Sequence, residues 1–377
     1  MRNSLRGQVD PFIVMDVMEA AARAEAAGRH IIHMEVGQPG TPAPEGARRA
    51  LANALAQPLG YTVALGLPAL RQGIADLYRR WYGVDLDPAR VVVTPGSSGA
   101  FILAFSALFD AGDRVAMGFP GYPSYRQILR AMSLEPVGIL TRPEDRYQPR
   151  PQDLPEAQGL ILASPGNPSG TVLTVPELAA LTEAAAARGM SVISDEIYHG
   201  LGYGQRCHSA LEVTDEVVVI NSFSKYFSMT GWRVGWMVVP PDMIRTVERL
   251  AQNLFICPPH ASQVAALAAL DCIPEAEANL AAYAENRRLM LEGLPRAGFD
   301  RIAPPEGAFY IYADVSHLTD DSIAFAAEIL EKAGVAVTPG LDFDPLRGHQ
   351  TLRFSYARAT ADIAEGLRRL TAFMDGR

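Results

Sequence analysis

A chain of 377 residues is too long for one hydrophobic core and should divide into at least two lobes. Its 49% hydrophobic and 20% charged residues contain no apolar run long enough to cross a bilayer, which sets aside disorder and membrane insertion. A formal net charge of −9 argues against a general nucleic-acid or membrane-surface binder and leaves small-molecule chemistry as the expectation.

The opening stretch, MRNSLRGQVDPFIVMDVMEAAARAE, is interrupted by Asp10, Asp16 and Glu19 before a signal-peptide core can form, so a cytoplasmic location is expected. Residues 1–45 hold an amphipathic stretch followed by the Pro/Gly-rich MEVGQPGTPAPEG. They read as an arm that packs on, and forms part of, a smaller domain. From about Leu51 to Leu270, β-branched runs alternate with Ala/Leu-rich helical stretches. Strands are expected at Arg90–Thr94, Arg114–Met117, Gly159–Ala163, Met190–Ser194, Val217–Asn221 and Val234–Val239. This alternation predicts an α/β domain over residues 46–280, with a mostly parallel sheet covered by helices. After a helix at Ala276–Leu294 the texture changes. Strands near Tyr310–Val315, Val335–Thr338 and Leu352–Ser355 alternate with helices at Ser322–Lys332 and Thr360–Met374, predicting an α+β small domain over residues 281–377. Cys207, Cys257 and Cys272 are too scattered for a disulfide framework or a metal site, and no metal is expected.

Four polar segments follow directly on apolar strands: TPGSSGA, SPGNPSG, DEIY and SFSK. In an open parallel sheet, ligands bind beyond the carboxyl ends of the strands, so all four should face one crevice. In the first, Gly96 allows close backbone approach, and Ser97 and Ser98 open a helix (Ala100–Phe109) whose free N–H groups suit an anion, although for that segment taken alone a plain capped turn is the favoured reading. In the fourth, SFSKYFSMTGWRVGW joins Ser222, Ser224, Lys225 and Arg233. Lys225 and Lys332 are the only lysines among 33 basic residues, and Lys332 sits near a helix C-terminus as an ordinary solvated cation. An amine partly desolvated beside another cation has a lowered pKa and is suited to form a Schiff base.

Together, Asn167-Pro168-Ser169-Gly170, Asp195-x-x-Tyr198 and Ser222-x-Ser224-Lys225 running to Gly231-Trp232-Arg233-Val234-Gly235 resemble the signature set of the class I/II aminotransferases, fold-type I enzymes of pyridoxal 5′-phosphate (PLP). The similarity runs from Gly37 to Arg353. It implies a seven-stranded-type sheet sandwiched by helices, with a smaller α+β domain. It also implies PLP held as a Schiff base by Lys225, with Asp195 on the pyridinium nitrogen. Tyr198 and Asn167 would then meet the phenolic oxygen, and Tyr122 would stack on the ring. Gly96, Ser97, Ser98, Ser222, Ser224 and Arg233 would hold the phosphate. Tyr61 would reach the phosphate of a partner subunit, which implies a homodimer. Arg353, helped by the backbone at Gly37, would grip the substrate α-carboxylate. The activity implied is ping-pong transfer of an amino group from an L-amino acid to a 2-oxo acid. Where aspartate-preferring relatives can carry a lysine in the phosphate loop, this chain has Ser97-Ser98, which favours a neutral or aromatic donor. Phe12, Ile13, Leu65 and Phe309 are candidate apolar walls. A PLP-dependent C–S lyase or synthase shares the same machinery. A non-catalytic effector-sensing module is the alternative of another class, although such modules carry a DNA-binding domain for which there is no room before Gly37.

Overall fold

The computed structural model describes residues 1–377. Near the N-terminus the helix Ile13–Ala26 leads to β1 (Ile32–His33). The aliphatic runs then form β2 (Val91–Thr94), β3 (Arg114–Phe119), β4 (Glu135–Leu140), β5 (Gly159–Ala163), β6 (Ser191–Asp195), β7 (Val218–Ser222) and β8 (Gly235–Val238). These seven make one sheet in the order β2-β8-β7-β6-β5-β3-β4. Every neighbouring pair is parallel except those made by β8, which runs antiparallel to both β2 and β7.

Alternation of side chains along each strand fills a core on both faces. Val91 and Val93 join a cluster of 64 buried residues, whereas Val92 between them joins a cluster of 21 on the other face. Each buried aliphatic side chain adds about 1.5–3 kcal/mol from burial alone. The predicted strands are all present, with ends displaced by no more than two residues. The helix expected at Ala100–Phe109 begins earlier, at Gly96, and ends at Leu108. β4 was not anticipated, because Pro136 and Gly138 interrupt its pattern. It lies at the sheet edge, where proline is tolerated, and the space above Gly138 is filled by the Phe119 ring.

A second sheet, order β12-β13-β10-β9, comprises β9 (Arg301–Ile302), β10 (Tyr310–Asp314), β12 (Thr338–Pro339) and β13 (Thr351–Ser355), all antiparallel. The single strand expected at Val335–Thr338 is divided. Its first half, β11 (Val335–Ala336), pairs parallel with β1, which ties the arm to the C-terminal part.

Candidate active site

The parallel strands β2, β5, β6 and β7 end along one edge of the sheet, and antiparallel β8 starts there. The chain therefore delivers Gly96–Ser98, Ser164–Asn167, Asp195–Tyr198, Ser222–Lys225 and Arg233 to the same crevice. A cavity of about 190 Å³ opens between them, lined by Ser97, Ser98, Tyr122, Asn167, Asp195, Tyr198, Ser224, Lys225, Arg233, Tyr310 and Arg353. Phe12, Val14, Met15, Val36, Gly37, Phe101, Ile197 and Thr230 complete the wall.

Lys225 donates from Nζ to the Gly37 carbonyl at 2.7 Å. Burial, and secondarily the cations Arg353 and Arg233, push its amine down to about 8, with Asp195 pulling the other way. Below that pH the amine is charged and unreactive, and each unit of acidity removes about nine-tenths of the neutral form that remains. Acylation of Lys225 by an amine-selective reagent should thus rise with pH and level off above about 8, a profile that Lys225→Ala removes.

Asp195, at the end of β6, is buried and accepts hydrogen bonds from the Tyr125 hydroxyl and from the Ile197 N–H at 3.1 Å. Burial pushes its carboxyl up to about 6 against those two bonds and the charge of Lys225. A cation placed against it would restore the ionised form. At the other end of the cavity the helix Gly96–Leu108 begins, with its free N–H groups at Gly96, Ser97 and Ser98. Arg233 adopts a left-handed φ of 50°, which folds its guanidinium back over Gly96, and a Cβ at Gly96 would collide with that guanidinium. The cavity is polarised, with a carboxyl at one end and a cation beside a helix N-terminus at the other.

Arg353, in the middle of β13, lies between the rings of Tyr310 and Phe343, 4.4 and 4.6 Å from their centroids. It donates to Asn167 Oδ1 at 2.9 Å and to the Glu35 carbonyl at 2.5 Å, and its buried Nε has no partner. With its oxygen engaged, Asn167 presents its amide N–H groups. Tyr198 and Tyr310 share a hydroxyl contact of 2.7 Å. Behind this layer, burial pushes His199 down to about 3, so it is neutral. Its Nε2–H donates to the Ser164 carbonyl at 2.9 Å while Nδ1 accepts from Tyr82 at 2.5 Å, tying the Asn167 loop to the segment that carries Tyr198.

The description "Aminotransferase class I and II" matches residues 29–370. The chain belongs to the class I and II aminotransferases. Over 99% of its length this aminotransferase is 49% identical to the valine–pyruvate aminotransferase of Mycobacterium tuberculosis, 98% of which is covered. A Silicibacter pomeroyi protein of known crystal structure shares 70% identity and superposes with a TM-score of 0.96, each chain fully covered. Thermus thermophilus aspartate aminotransferase with maleate shares 32% identity and a TM-score of 0.92, over 99% of this chain and 100% of that one. The fold is that of the fold-type I enzymes, and the reaction is transfer of an amino group.

Within the aminotransferase, Ser222 stands one layer behind the cavity wall, its hydroxyl donating to Ser224 Oγ at 2.8 Å. Tyr61 does not reach this chain's cavity and is 82% exposed. Of the expected apolar walls only Phe12 lines the cavity. Leu65 belongs to the sheet core, Phe309 is packed against Tyr198 and Tyr283, and Ile13 contributes its N–H elsewhere. Tyr125 and Tyr310 were not anticipated. Tyr125 follows Tyr122 by three residues at the start of the helix Pro123–Ala131, a spacing that puts both on one face. Tyr310 enters through the β10–β13 register, which no local pattern encodes.

Proposed function

We propose that this aminotransferase holds PLP as a Schiff base on Lys225 and moves amino groups from neutral, apolar L-amino acids to a 2-oxo acid by a ping-pong mechanism. The observation that carries the reading is the meeting of a depressed-pKa lysine, a buried carboxyl and a phosphate-type cradle in one small cavity. The residues fit the cofactor end for end. Asp195 suits a protonated pyridine nitrogen, Tyr198 and the free amide of Asn167 suit the phenolic oxygen, and Tyr122 suits the ring face. Ser97, Ser98, Ser224 and Arg233, with Gly96 leaving room and Ser222 supporting Ser224, suit the phosphate. Bound there, PLP supplies an electron sink for the pair left when a bond to the amino acid's Cα breaks.

The chain's own part is to bind, orient and move a proton. Arg353 takes the α-carboxylate with its unpartnered Nε and displaceable Nη groups, beside the backbone at Gly37. Lys225 would hold the cofactor and, with its nitrogen free, would take the proton from the substrate's Cα and give it back, serving as base and then acid at one nitrogen. Asp195 would face the ring nitrogen and favour its protonated form.

The donor reading rests on charge. The only cations lining the cavity are Lys225, Arg233 and Arg353, and each is committed, while Phe12, Val14, Met15, Val36, Phe101 and Ile197 make an apolar part of the wall. An acidic side chain would be buried without a partner there. The valine–pyruvate activity named for the M. tuberculosis relative agrees with this. Residues 46–280 form the unit that carries the cofactor. The arm 1–45 with residues 281–377 forms the unit that carries Arg353.

A homodimer in the cytoplasm completes the proposal. Exposed Tyr61, Val63, Leu254 and Ile256 lie on two segments joined by contacts from Thr62 N–H to Cys257 Sγ at 3.4 Å and from His260 to the Gly60 carbonyl at 3.0 Å. The resulting apolar patch suits a second copy, into whose phosphate site Tyr61 reaches. No helix is long and apolar enough to cross a membrane.

The test is a panel of amino acids added to the PLP-loaded protein without any acceptor. Valine, alanine and aromatic donors should convert the yellow absorbance band to that of the pyridoxamine form and release the matching 2-oxo acid, while aspartate and glutamate react far more slowly. Pyruvate and ammonia from a cysteine-like substrate, with no such conversion, would point to a lyase instead.

A further inference from the structure

The helix Ile13–Ala26 has no cap of its own, since Phe12 at its N-cap position offers no side-chain acceptor. Its first free N–H groups are met from the far end of the chain. Asp342 accepts from Ile13 N–H through Oδ1 and from Val14 N–H through Oδ2, each at 3.1 Å. Asp342 is only 2% exposed, so little water competes for those donors. Its own loop is fixed in turn, because Arg126 donates to the carbonyls of Asp342 and Phe343 at 3.1 and 3.2 Å. The same first helical turn supplies cavity wall. Phe12 meets the Tyr122 ring edge-on at 5.9 Å, Val14 is buried, and Met15 stands half-exposed at the mouth. Asp342 itself does not line the cavity.

We infer that Asp342 is a positioning residue for substrate selection: by capping this helix it sets where Phe12, Val14 and Met15 stand, and the preference for bulky apolar donors over alanine depends on it. The inference rests on the donor reading given above. A donor with a large side chain needs that wall in register, whereas alanine, held by its carboxylate and amine, touches little of it. A cap that accepts two N–H groups cannot be replaced by an amide, whose NH₂ would face one of the donors.

The experiment compares wild type, Asp342→Asn, Phe12→Ala and the double variant. It measures donor half-reaction rates with valine, phenylalanine and alanine, and amide exchange over residues 10–20 in the cofactor-free chain. Asp342→Asn should lower the valine/alanine and phenylalanine/alanine rate ratios by about five- to tenfold and speed exchange at Ile13 and Val14. Phe12→Ala, which trims the cavity wall directly, should lower the same ratios. The double variant should lose much less than the product of the two single losses, since both act through one wall. Equal losses for all donors, unchanged ratios in Phe12→Ala, or single losses that multiply in the double variant would overturn the inference and leave the donor reading standing. A wild-type protein that converts no apolar donor overturns both.

Discussion

Lys225→Ala is expected to abolish turnover, with a loss of about 10⁴-fold or more in kcat and no yellow absorbance band on adding PLP. On the proposed reading two tasks fall on this one nitrogen, anchoring the cofactor and carrying the proton, and no other lysine lines the cavity. Lys332, the second of the two lysines, pairs with Glu328 at 2.8 Å on an exposed helix face. The loss should therefore not be made good by a neighbour. Added small amines should restore a fraction of the proton transfer, which separates chemical loss from misfolding. A variant that retained the band would sink the assignment of the Schiff base.

Arg353→Lys should lower kcat/KM by roughly 10²- to 10³-fold, about 3–4 kcal/mol, and by the same factor for the amino donor and the oxo-acid acceptor. Both substrates carry the carboxylate that Arg353 is proposed to bind, so a change confined to one of them would contradict the role. The substitution keeps the charge but loses the planar fork. It also loses the stacking between Tyr310 and Phe343 and leaves the Glu35 carbonyl and Asn167 Oδ1 short of donors. Inhibition constants for simple monocarboxylates would track the same loss without requiring turnover.

The strand ends that carry chemistry were legible because each is a short polar break after an aliphatic run, a local pattern. Lys225 stood out by scarcity and by its serine and arginine neighbours. Other features were hidden for physical reasons. β4 was obscured by Pro136 and Gly138, residues disfavoured in strand interiors but acceptable at an edge. Tyr310 comes to the cavity by pairing between β10 and β13, and Val36 and Met15 come with the arm, through contacts across hundreds of residues. Phe309, expected as an apolar wall, instead packs from the turn before β10 against Tyr198 and Tyr283, which only the tertiary fold brings to it. Tyr125 was readable, since its spacing from Tyr122 is helical, but its partner Asp195 lies 70 residues away.

The antiparallel insertion of β8 has a consequence for how the protein is made. β2 pairs with no strand but β8, and β1 with none but β11. During synthesis the segment that ends at Gly96 must wait for residues 235–238 before it has a neighbour, and the arm must wait for residues 335–336. Nascent chains that stop short of these points carry the serines and the lysine but no crevice to hold them. The crevice thus closes only near the last stretch of chain, and partial products lack part of its wall, Arg353 included.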